Sequence, residues 1–257
     1  MLMTNAVKAK LKKGELCLSA LFPFFCPPFV ELLGRCGCDA IHFDSEHGSL
    51  EISQIEDLAR TCELVGVTPL CRVPAARPEI ILRTMDAGVM GVIVPHVKTR
   101  EDVEAIVSYV KYPPLGRRGM APAARAPGYI GMSVEEYVTK ANNETMVIIQ
   151  IEDPEGVENF ESIRKTDGLD CVLIGKNDLA LSMGHQGQVD VPEVQEAIEK
   201  VVSMTLDAGL TLMIGADERT GPYWIKRGAR LLSIGVVPFI RRKWTEIIDG
   251  LRASEAP

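Results

Sequence analysis

Four short segments of this sequence place ionisable side chains directly after runs of apolar residues. The side chains in question are Asp44, Glu46 and His47, then Arg72, Glu152 and Asp178. Paired carboxylates bind divalent cations, a histidine can move a proton near neutral pH, and an arginine can stabilise an anion. If these segments meet in one place, the sequence predicts an enzyme site for a small anionic molecule.

Glu152 and Asp178 would point two carboxylates into one space from adjacent strands. Unpaired carboxylates repel each other and raise one of the two pKa values, and a divalent cation removes that conflict. Hard oxygen ligands of this kind suit Mg2+ or Mn2+. Either residue alone also fits a salt bridge or a helix cap, and Asp178 could cap the helix that begins at Leu179. Because both residues stand at the ends of adjacent predicted strands, the two together favour a metal site over separate salt bridges or caps.

His47 is one of only four histidines, and it stands beside Asp44 and Glu46, either of which could orient its imidazole or raise its pKa. It is a candidate general base, and the alternative is an exposed loop histidine held by its acidic neighbours.

Arg72 ends an apolar strand, so its guanidinium needs an anionic partner, which could be a substrate, Glu152 or another carboxylate. Such a set could bind a 2-oxo acid, with Arg72 stabilising an enolate and His47, or a water that it activates, moving the proton.

The segments that must position these side chains alternate in hydrophobic pattern along the whole chain. Short apolar runs, typical of buried strands, are followed by amphipathic segments, typical of helices. The eight apolar runs are Leu16–Phe22, Asp39–Phe43, Thr68–Arg72, Gly91–Pro95, Met146–Glu152, Cys171–Gly175, Leu210–Gly215 and Leu231–Ile234. Eight β-then-α units predict a closed (β/α)8 TIM barrel, in which active sites lie where strands end. Since no linker divides the chain, we expect one domain over residues 1–257.

The longest interruption of this pattern is the segment 111–132, which is rich in Pro, Gly and Arg. A long irregular segment usually lies over a site or is mobile. Its Arg117, Arg118 and Arg125 could contact a distal carboxylate of a substrate, or they could pair on the surface.

Composition limits the partners of the protein. With 28 Lys and Arg against 35 Asp and Glu, no basic surface is left for nucleic acid or for an anionic membrane. The longest apolar segments fall short of the ~20 residues that a membrane-spanning helix needs. The seven cysteines show neither zinc-site nor CxxC spacing, so we expect reduced thiols and a cytoplasmic protein.

These residues resemble those of the HpcH/HpaI aldolases. Members of that family are divalent-metal-dependent class II pyruvate aldolases on a (β/α)8 barrel of the phosphoenolpyruvate/pyruvate-domain type. The order and spacing of several motifs along nearly the whole chain carry the resemblance. These motifs are Lys12–Glu15, Phe43–Gly48, Arg72–Pro74, Asp86–Gly88, Val94–Val97, Tyr112–Gly119, Gln150–Glu152 and Gly175–Leu179.

The resemblance implies an enzyme that reversibly cleaves a 4-hydroxy-2-oxo acid to pyruvate and an aldehyde through a pyruvate enolate. It implies Mg2+ or Mn2+ as the cofactor, with Co2+ as an alternative. It makes His47 the catalytic base, Arg72 the residue that stabilises the enolate, and Asp86 the acid that raises the basicity of the histidine. The remaining roles that it implies are metal ligation by Glu152 and Asp178, substrate contact by Gln150, and a carboxylate cradle in the backbone around Asn177 and Asp178.

The resemblance also implies a homo-oligomer, a hexamer or a trimer, in which the C-terminal helix is exchanged between subunits. Residues Phe239–Leu251 would then pack on a neighbour. The chain departs from the pattern at Lys176, where relatives commonly have Pro, and in the loop Met120–Arg125, which carries an unusual Pro.

Three alternatives stay open at this stage. Lys176 could form a Schiff base with pyruvate in a metal-free aldolase, or it could be a solvated surface amine. The chain could be a carbon–carbon lyase acting on a CoA thioester, of the citrate lyase β or malyl-CoA type. It could also be a barrel that binds 2-oxo acids without turning them over.

Overall fold

A computed structural model describes residues 4–129 and 131–254 of the chain. Eight parallel strands form a closed barrel, in which each strand pairs with the next and the last pairs with the first. The strands are β1 (Cys17–Phe22), β2 (Ala40–Asp44), β3 (Thr68–Arg72), β4 (Gly91–Val94), β5 (Met146–Ile151), β6 (Cys171–Ile174), β7 (Thr211–Ala216) and β8 (Leu231–Gly235). The (β/α)8 barrel expected from the sequence is therefore confirmed.

Helices follow the strands and surround the barrel. Those before β5 are α1 (Ala6–Lys12), α2 (Pro27–Arg35), α3 (Ile52–Val65), α4 (Pro78–Asp86), α5 (Arg100–Val110) and α6 (Val134–Glu144). Those after β5 are α7 (Pro154–Glu158), α8 (Phe160–Ile163), α9 (Lys176–Ser182), α10 (Pro192–Asp207), α11 (Gly221–Lys226) and α12 (Val236–Ala253). None of the helices in the described ranges is both long and apolar enough to cross a membrane.

The amino-terminal end of the barrel is filled by apolar side chains. Helix α1 lies across this end, where Val7 packs with Cys17, Leu70 and Met146 from the strands. The buried side chain of Asn5 caps this helix by accepting from the Lys8 backbone N–H at 2.9 Å. Because this end is packed with apolar groups, charged groups that point into the barrel belong at the carboxyl ends of the strands.

The outer faces of the strands are held by close packing against the helices. At β1 and β2, the rings of Phe22 and Phe43 meet edge to face with centroids 6.1 Å apart. Both rings belong to a buried cluster that includes Leu58 of α3. Such packing leaves the strands little freedom to shift, so side chains at their carboxyl ends start from fixed backbone positions.

The long segment 111–132 does not lie over the carboxyl ends of the strands of its own chain, and none of its described residues lines the cavity found there. It packs where α3 and α4 end, beside the starts of the strands that follow them. The Arg118 guanidinium pairs with Asp86 at 2.6 Å, and the Arg125 guanidinium pairs with Glu63 at 2.8 Å. The expectation that this segment covers the site is therefore corrected for the single chain.

Replacing Arg125 with Met should lower the free energy of unfolding by about 2 kcal/mol, because a partly buried Glu63 then loses its ion pair. The Ala87 carbonyl, which accepts from Arg125 at 2.9 Å, also loses its donor. Urea unfolding followed by circular dichroism measures the change. The control is Arg117→Met in the same segment, because Arg117 is exposed and should cost less than about 0.5 kcal/mol. Equal losses in the two variants would contradict this account of the segment.

Candidate active site

A cavity of about 710 Å³ opens at the carboxyl ends of the strands. Five of the residues expected at the site line it, namely His47, Arg72, Gln150, Asn177 and Asp178. The expected ligand Glu152 lies against its wall, because a Cβ atom on the cavity-lining Gly175 would be 2.5 Å from Glu152 Oε2. Barrel enzymes carry their catalytic groups at this end of the strands, so the cavity is the candidate active site.

Arg72 pairs with two carboxylates at the edge of the cavity. Its Nε and Nη2 donate to Asp44 Oδ1 and Oδ2 at 3.0 and 2.6 Å, and Nε lies 3.2 Å from Glu46 Oε2. The pair forms because Asp44 and Arg72 are register partners at the last positions of β2 and β3. Arg72 was expected to need an anionic partner, and the structure shows that its partners are Asp44 and Glu46 rather than Glu152.

The two charges of this pair stabilise each other in a buried setting. Burial favours the neutral acid, but the hydrogen bonds and charge of Arg72 outweigh it and lower the pKa of Asp44. Burial opposes the cation as well, yet Asp44 and Glu46 together raise the pKa of Arg72. Arg72 also donates from Nη1 to Gln150 Oε1 at 3.4 Å, which extends the contact across the cavity towards β5.

His47 follows β2 in a tight loop whose shape is set by backbone contacts. The Asp44 carboxylate accepts from the backbone N–H groups of Glu46 and His47 at 3.1 and 3.3 Å. Gly48 is required here, because a Cβ atom would lie 2.1 Å from the Asp44 carbonyl oxygen and 2.5 Å from that of Pro23. The loop thus fixes the backbone from which the His47 imidazole projects.

The His47 imidazole itself is 62% exposed and faces the cavity. Its Nε2 is 3.8 Å from Glu46 Oε2, which is too long for a hydrogen bond. Asp44 contacts its backbone N–H and not its ring. Glu46 therefore lies within ion-pair distance of the ring without a hydrogen bond to it, and the exposed ring faces the cavity.

The Glu152 carboxylate is 1% exposed, accepts two hydrogen bonds from neutral donors, and has its Oε1 3.5 Å from the His96 ring Nδ1. One oxygen accepts from the His96 backbone N–H at 2.9 Å, and the other accepts from the side-chain amide of Gln150. Burial raises the pKa of Glu152, the two hydrogen bonds oppose that shift, and the negative charge of Asp178 adds to it. Asp178 is therefore near enough for its negative charge to act on Glu152, although burial is the main cause of the raised pKa.

Asp178 does not cap the helix in which it lies. The N-cap of α9 is Gly175, which makes no side-chain cap, and Asp178 is in the first helical turn. It also lines the cavity, so the alternative reading of Asp178 as a helix cap is wrong. Its carboxylate is available to a ligand.

These two carboxylates fit a divalent cation. The described residues contain no group of three or more His, Cys, Asp or Glu side chains arranged around a common metal position. Mg2+ is commonly held by only one or two carboxylates, with water and substrate oxygens completing its shell. A cation between Glu152 and Asp178 would relieve their repulsion, and the remaining ligand positions would face the cavity.

His96 is a residue of this site that the sequence did not assign. Its φ of 55° lies in the left-handed region that a non-glycine residue rarely adopts. In this backbone conformation its N–H donates to Glu152. Its ring Nδ1 lies 3.0 Å from Asp153 Oδ2, and its Nε2 lies 3.7 Å from Glu46 Oε1. His96 directly follows Pro95 after β4, so the strand-end rule that found Arg72 could have found it.

His42 is a second unassigned residue, on the floor of the cavity. Its ring is 1% exposed, and its Nδ1 lies 3.3 Å from Ser233 Oγ while its Nε2 has no partner among the described residues. Burial, helped by the charge of Arg72, lowers its pKa to about 3. His42 is thus a neutral imidazole, and its place inside an apolar strand hid it from the sequence pattern.

Lys176 is not the solvated surface amine that one alternative described. It is partly buried and lines the cavity. Its ammonium donates to the Gly215 carbonyl oxygen at 3.0 Å and lies 5.3 Å from the centre of the Trp224 ring. Burial lowers its pKa.

Asp86 is the one expected site residue that does not lie near the cavity. It ends α4 at the opposite end of the barrel, where its carboxylate pairs with Arg118. The structure therefore does not bring Asp86 to His47 within one chain.

Comparison with known proteins agrees with this arrangement. A family model described as HpcH/HpaI aldolase/citrate lyase matches residues 22–237. The chain belongs to this family. Over 235 residues it is 31% identical to the 5-keto-4-deoxy-D-glucarate aldolase of Shigella boydii, and the match covers 90% of each chain. The resemblance that the sequence motifs carried is confirmed.

Two solved structures superpose closely on the chain. The HpcH/HpaI aldolase from Desulfitobacterium hafniense matches with a TM-score of 0.92 and 28% identity, over 99% of this chain and 98% of that one. The citrate synthase SbnG matches with a TM-score of 0.88 and 26% identity, over 97% of this chain and 98% of that one. The fold is thus shared by solved proteins that carry different names.

The contact between the His96 N–H and Glu152 predicts how metal binding responds to substitution. His96→Val should weaken Mn2+ binding about tenfold, because a β-branched residue resists positive φ and turns the N–H away from the carboxylate. His96→Asn tolerates positive φ and should stay within about threefold of the parent chain. Titration of Mn2+ followed by electron paramagnetic resonance measures both. If Asn weakens binding as much as Val, the imidazole and not the backbone N–H carries the effect.

Proposed function

We propose that this protein is a class II pyruvate aldolase, which reversibly cleaves a 4-hydroxy-2-oxo acid to pyruvate and an aldehyde with the help of a divalent cation. The observation that carries the proposal is that Asp178 lines the same cavity as Arg72 and His47, with the Glu152 carboxylate directly behind the cavity-lining Gly175. Family membership and the curated aldolase relatives support it.

Glu152 and Asp178 would hold the cation, with Mg2+ or Mn2+ as the expected ion and Co2+ as an alternative. The cation would act as a Lewis acid on the 2-oxo group. Asn177 and Asp178 lie at the start of α9 and line the cavity, so we assign to their backbone the contact with the substrate carboxylate. Gln150 bridges Arg72 and Glu152 and would set the position of the 2-oxo group between them.

In the cleavage direction, His47 would accept the proton of the C4 hydroxyl group. The C3–C4 bond then breaks, the aldehyde forms at C4, and the electron pair passes through C3 to the C2 oxygen as an enolate. Arg72 would stabilise that negative charge, since its guanidinium is fixed by Asp44 before the substrate arrives, which is the condition for electrostatic catalysis. His47 would return the proton to C3 and so release pyruvate.

We further propose that the working protein is a homo-oligomer, a hexamer or a trimer. Helix α12 exposes a row of large apolar side chains, which are Val237, Phe239, Trp244, Ile247, Ile248 and Leu251, and such a surface is typical of subunit contacts. In a single chain Asp86 lies at the opposite end of the barrel from His47. If Asp86 raises the basicity of His47, it does so in a neighbouring subunit.

The cytoplasmic location and the single domain over residues 1–257 stay predictions.

The Schiff-base alternative has one observation in its favour, because burial lowers the pKa of Lys176 as a nucleophilic amine requires. Borohydride trapping of pyruvate on Lys176, detected by mass spectrometry, would support this alternative. The metal mechanism predicts no such adduct. Cleavage of malyl-CoA would support the CoA-thioester lyase instead.

The metal mechanism predicts exchange of the pyruvate methyl protons in D2O, measured by proton NMR. In the presence of Mg2+ the parent chain should catalyse this exchange. The exchange should stop when EDTA is added and resume when Mg2+ is restored. Arg72→Ala should slow the exchange by a factor of about 100 or more, since a fixed donor to the enolate oxygen is lost. Arg117→Ala, which makes the same change at an exposed residue, should leave the rate unchanged.

Exchange that persists in EDTA would contradict the metal mechanism. An absence of exchange with Mg2+, Mn2+ and Co2+ would favour a barrel that binds 2-oxo acids without turning them over. A screen of 4-hydroxy-2-oxo acids, in which lactate dehydrogenase reports pyruvate, then identifies the aldehyde partner.

A further inference from the structure

A patch of neutral polar side chains lies at the floor of the cavity. Ser233 of β8 and His42 of β2 line the cavity there, and Ser19 of β1 is the register partner of Ser233. The three residues are 5%, 1% and 1% exposed in that order. They adjoin the apolar cluster of the barrel interior, since Leu70 of that cluster is the register partner of His42. Buried polar groups are costly unless they are hydrogen-bonded, so this patch needs an explanation.

The hydrogen-bonding capacity of the patch is only partly used among the described residues. His42 Nδ1 lies 3.3 Å from Ser233 Oγ, whereas His42 Nε2 and Ser19 Oγ have no partner. Buried N–H groups without an acceptor are rare, which favours the tautomer that carries its proton on Nδ1. In that tautomer His42 donates to Ser233, and the Ser233 hydroxyl keeps its own proton to donate to a ligand.

The backbone leaves space beside the Ser233 hydroxyl. The register partner of Ser233 on β7 is Gly215, which lines the cavity and where an added Cβ atom would meet no other atom within 4 Å. Gly235, two residues after Ser233, lines the cavity as well. Because neither glycine has a side chain to fill this space, a small group of a bound ligand can reach Ser233.

The patch suits an uncharged group. The nearby cation Arg72 already pairs with Asp44 and Glu46, and the buried imidazole of His42 is neutral. A carboxylate or a phosphate at the floor would lose its hydration without gaining a free cation. A hydroxyl group can accept from the Ser233 hydroxyl and also has a proton to donate, so it matches the patch without a cost in charge.

We infer that Ser233, oriented by His42, forms a neutral subsite that selects substrates with a hydroxyl group over those with an alkyl group of the same size. This inference rests on the proposed aldolase function. The subsite moves no proton and breaks no bond, so the two residues set specificity and do not take part in the chemistry assigned to Arg72 and His47. The hydroxyl group belongs either to C3 of the 2-oxo acid or to the aldehyde, and two arms of one experiment distinguish these sources.

The first arm uses the 2-oxo acid without an aldehyde. Hydroxypyruvate and 2-oxobutanoate have equal size and differ in carrying a hydroxyl or a methyl group on C3. Exchange of their C3 protons in D2O with Mg2+, followed by proton NMR, gives kcat/KM for each. If the 2-oxo acid supplies the hydroxyl group, Ser233→Ala should lower the ratio of hydroxypyruvate to 2-oxobutanoate about fivefold, because one hydrogen bond is lost.

The second arm varies the aldehyde in aldol addition to pyruvate with Mg2+ present. Glycolaldehyde and propanal again have equal size and differ in a hydroxyl against a methyl group. If the aldehyde supplies the hydroxyl group, Ser233→Ala should lower the ratio of kcat/KM for glycolaldehyde to that for propanal about fivefold. The arm in which the ratio falls identifies the source.

Two further variants separate specificity from a general loss of structure. Ser19→Ala makes the same change at a neighbouring buried serine that does not line the cavity, and it should change both ratios by less than about twofold. His42→Leu removes the group that orients Ser233 and should lower the same ratio as Ser233→Ala. The double variant should lower that ratio no further than Ser233→Ala alone, because the two residues act as one unit.

Unchanged ratios in both arms of Ser233→Ala overturn the inference, and so does an equal fall for both members of each pair. A fall of the ratio in Ser19→Ala as large as that in Ser233→Ala also overturns it. Failure of the proposed function looks different, because the parent chain then exchanges no protons of pyruvate itself and consumes neither aldehyde. The inference then falls together with the function on which it rests.

Discussion

The ion pair between Arg72 and Asp44 is the contact on which the rest of the site depends. It joins the last residues of β2 and β3, and it leaves the guanidinium plane fixed at the edge of the cavity. Arg72 reaches Gln150, and Gln150 in turn reaches Glu152. The positions of Arg72, the proposed enolate-stabilising cation, and of Glu152, a proposed metal ligand, are therefore coupled through a single chain of hydrogen bonds across the barrel.

A surplus of negative charge is the second constraint on the site. Arg72 pairs chiefly with Asp44 and Glu46, so it offsets only part of the negative charge of Glu152 and Asp178, and burial makes that charge more costly. The proposed divalent cation would offset it and would at the same time create a place where an anionic 2-oxo acid can bind. The strained turn at His96, which aims an N–H at Glu152, is the kind of backbone outlier that collects at functional sites.

The sequence predicted the barrel and the residues that end its strands, because buried parallel strands read as apolar runs and catalytic groups follow them. It missed α6, a mostly polar helix that buries only Tyr137 and Ala141, although Ser133 and Glu136 form a capping box at its start. It missed His42 because a polar residue inside an apolar run gives no periodic signal. It also left open that the segment 111–132 lies over the site or is mobile, since sequence alone does not show which end of a barrel a long connection covers.

The central claim is that Glu152 and Asp178 together hold one divalent cation per chain. Mn2+ binding measured by electron paramagnetic resonance tests it most directly, in the parent chain and in Glu152→Gln and Asp178→Asn, each checked for a native circular dichroism spectrum. We expect one Mn2+ per chain in the parent, bound more tightly when oxalate is added as a planar mimic of the enolate, and loss of that binding in both variants. Parent-like Mn2+ binding in either variant would contradict it.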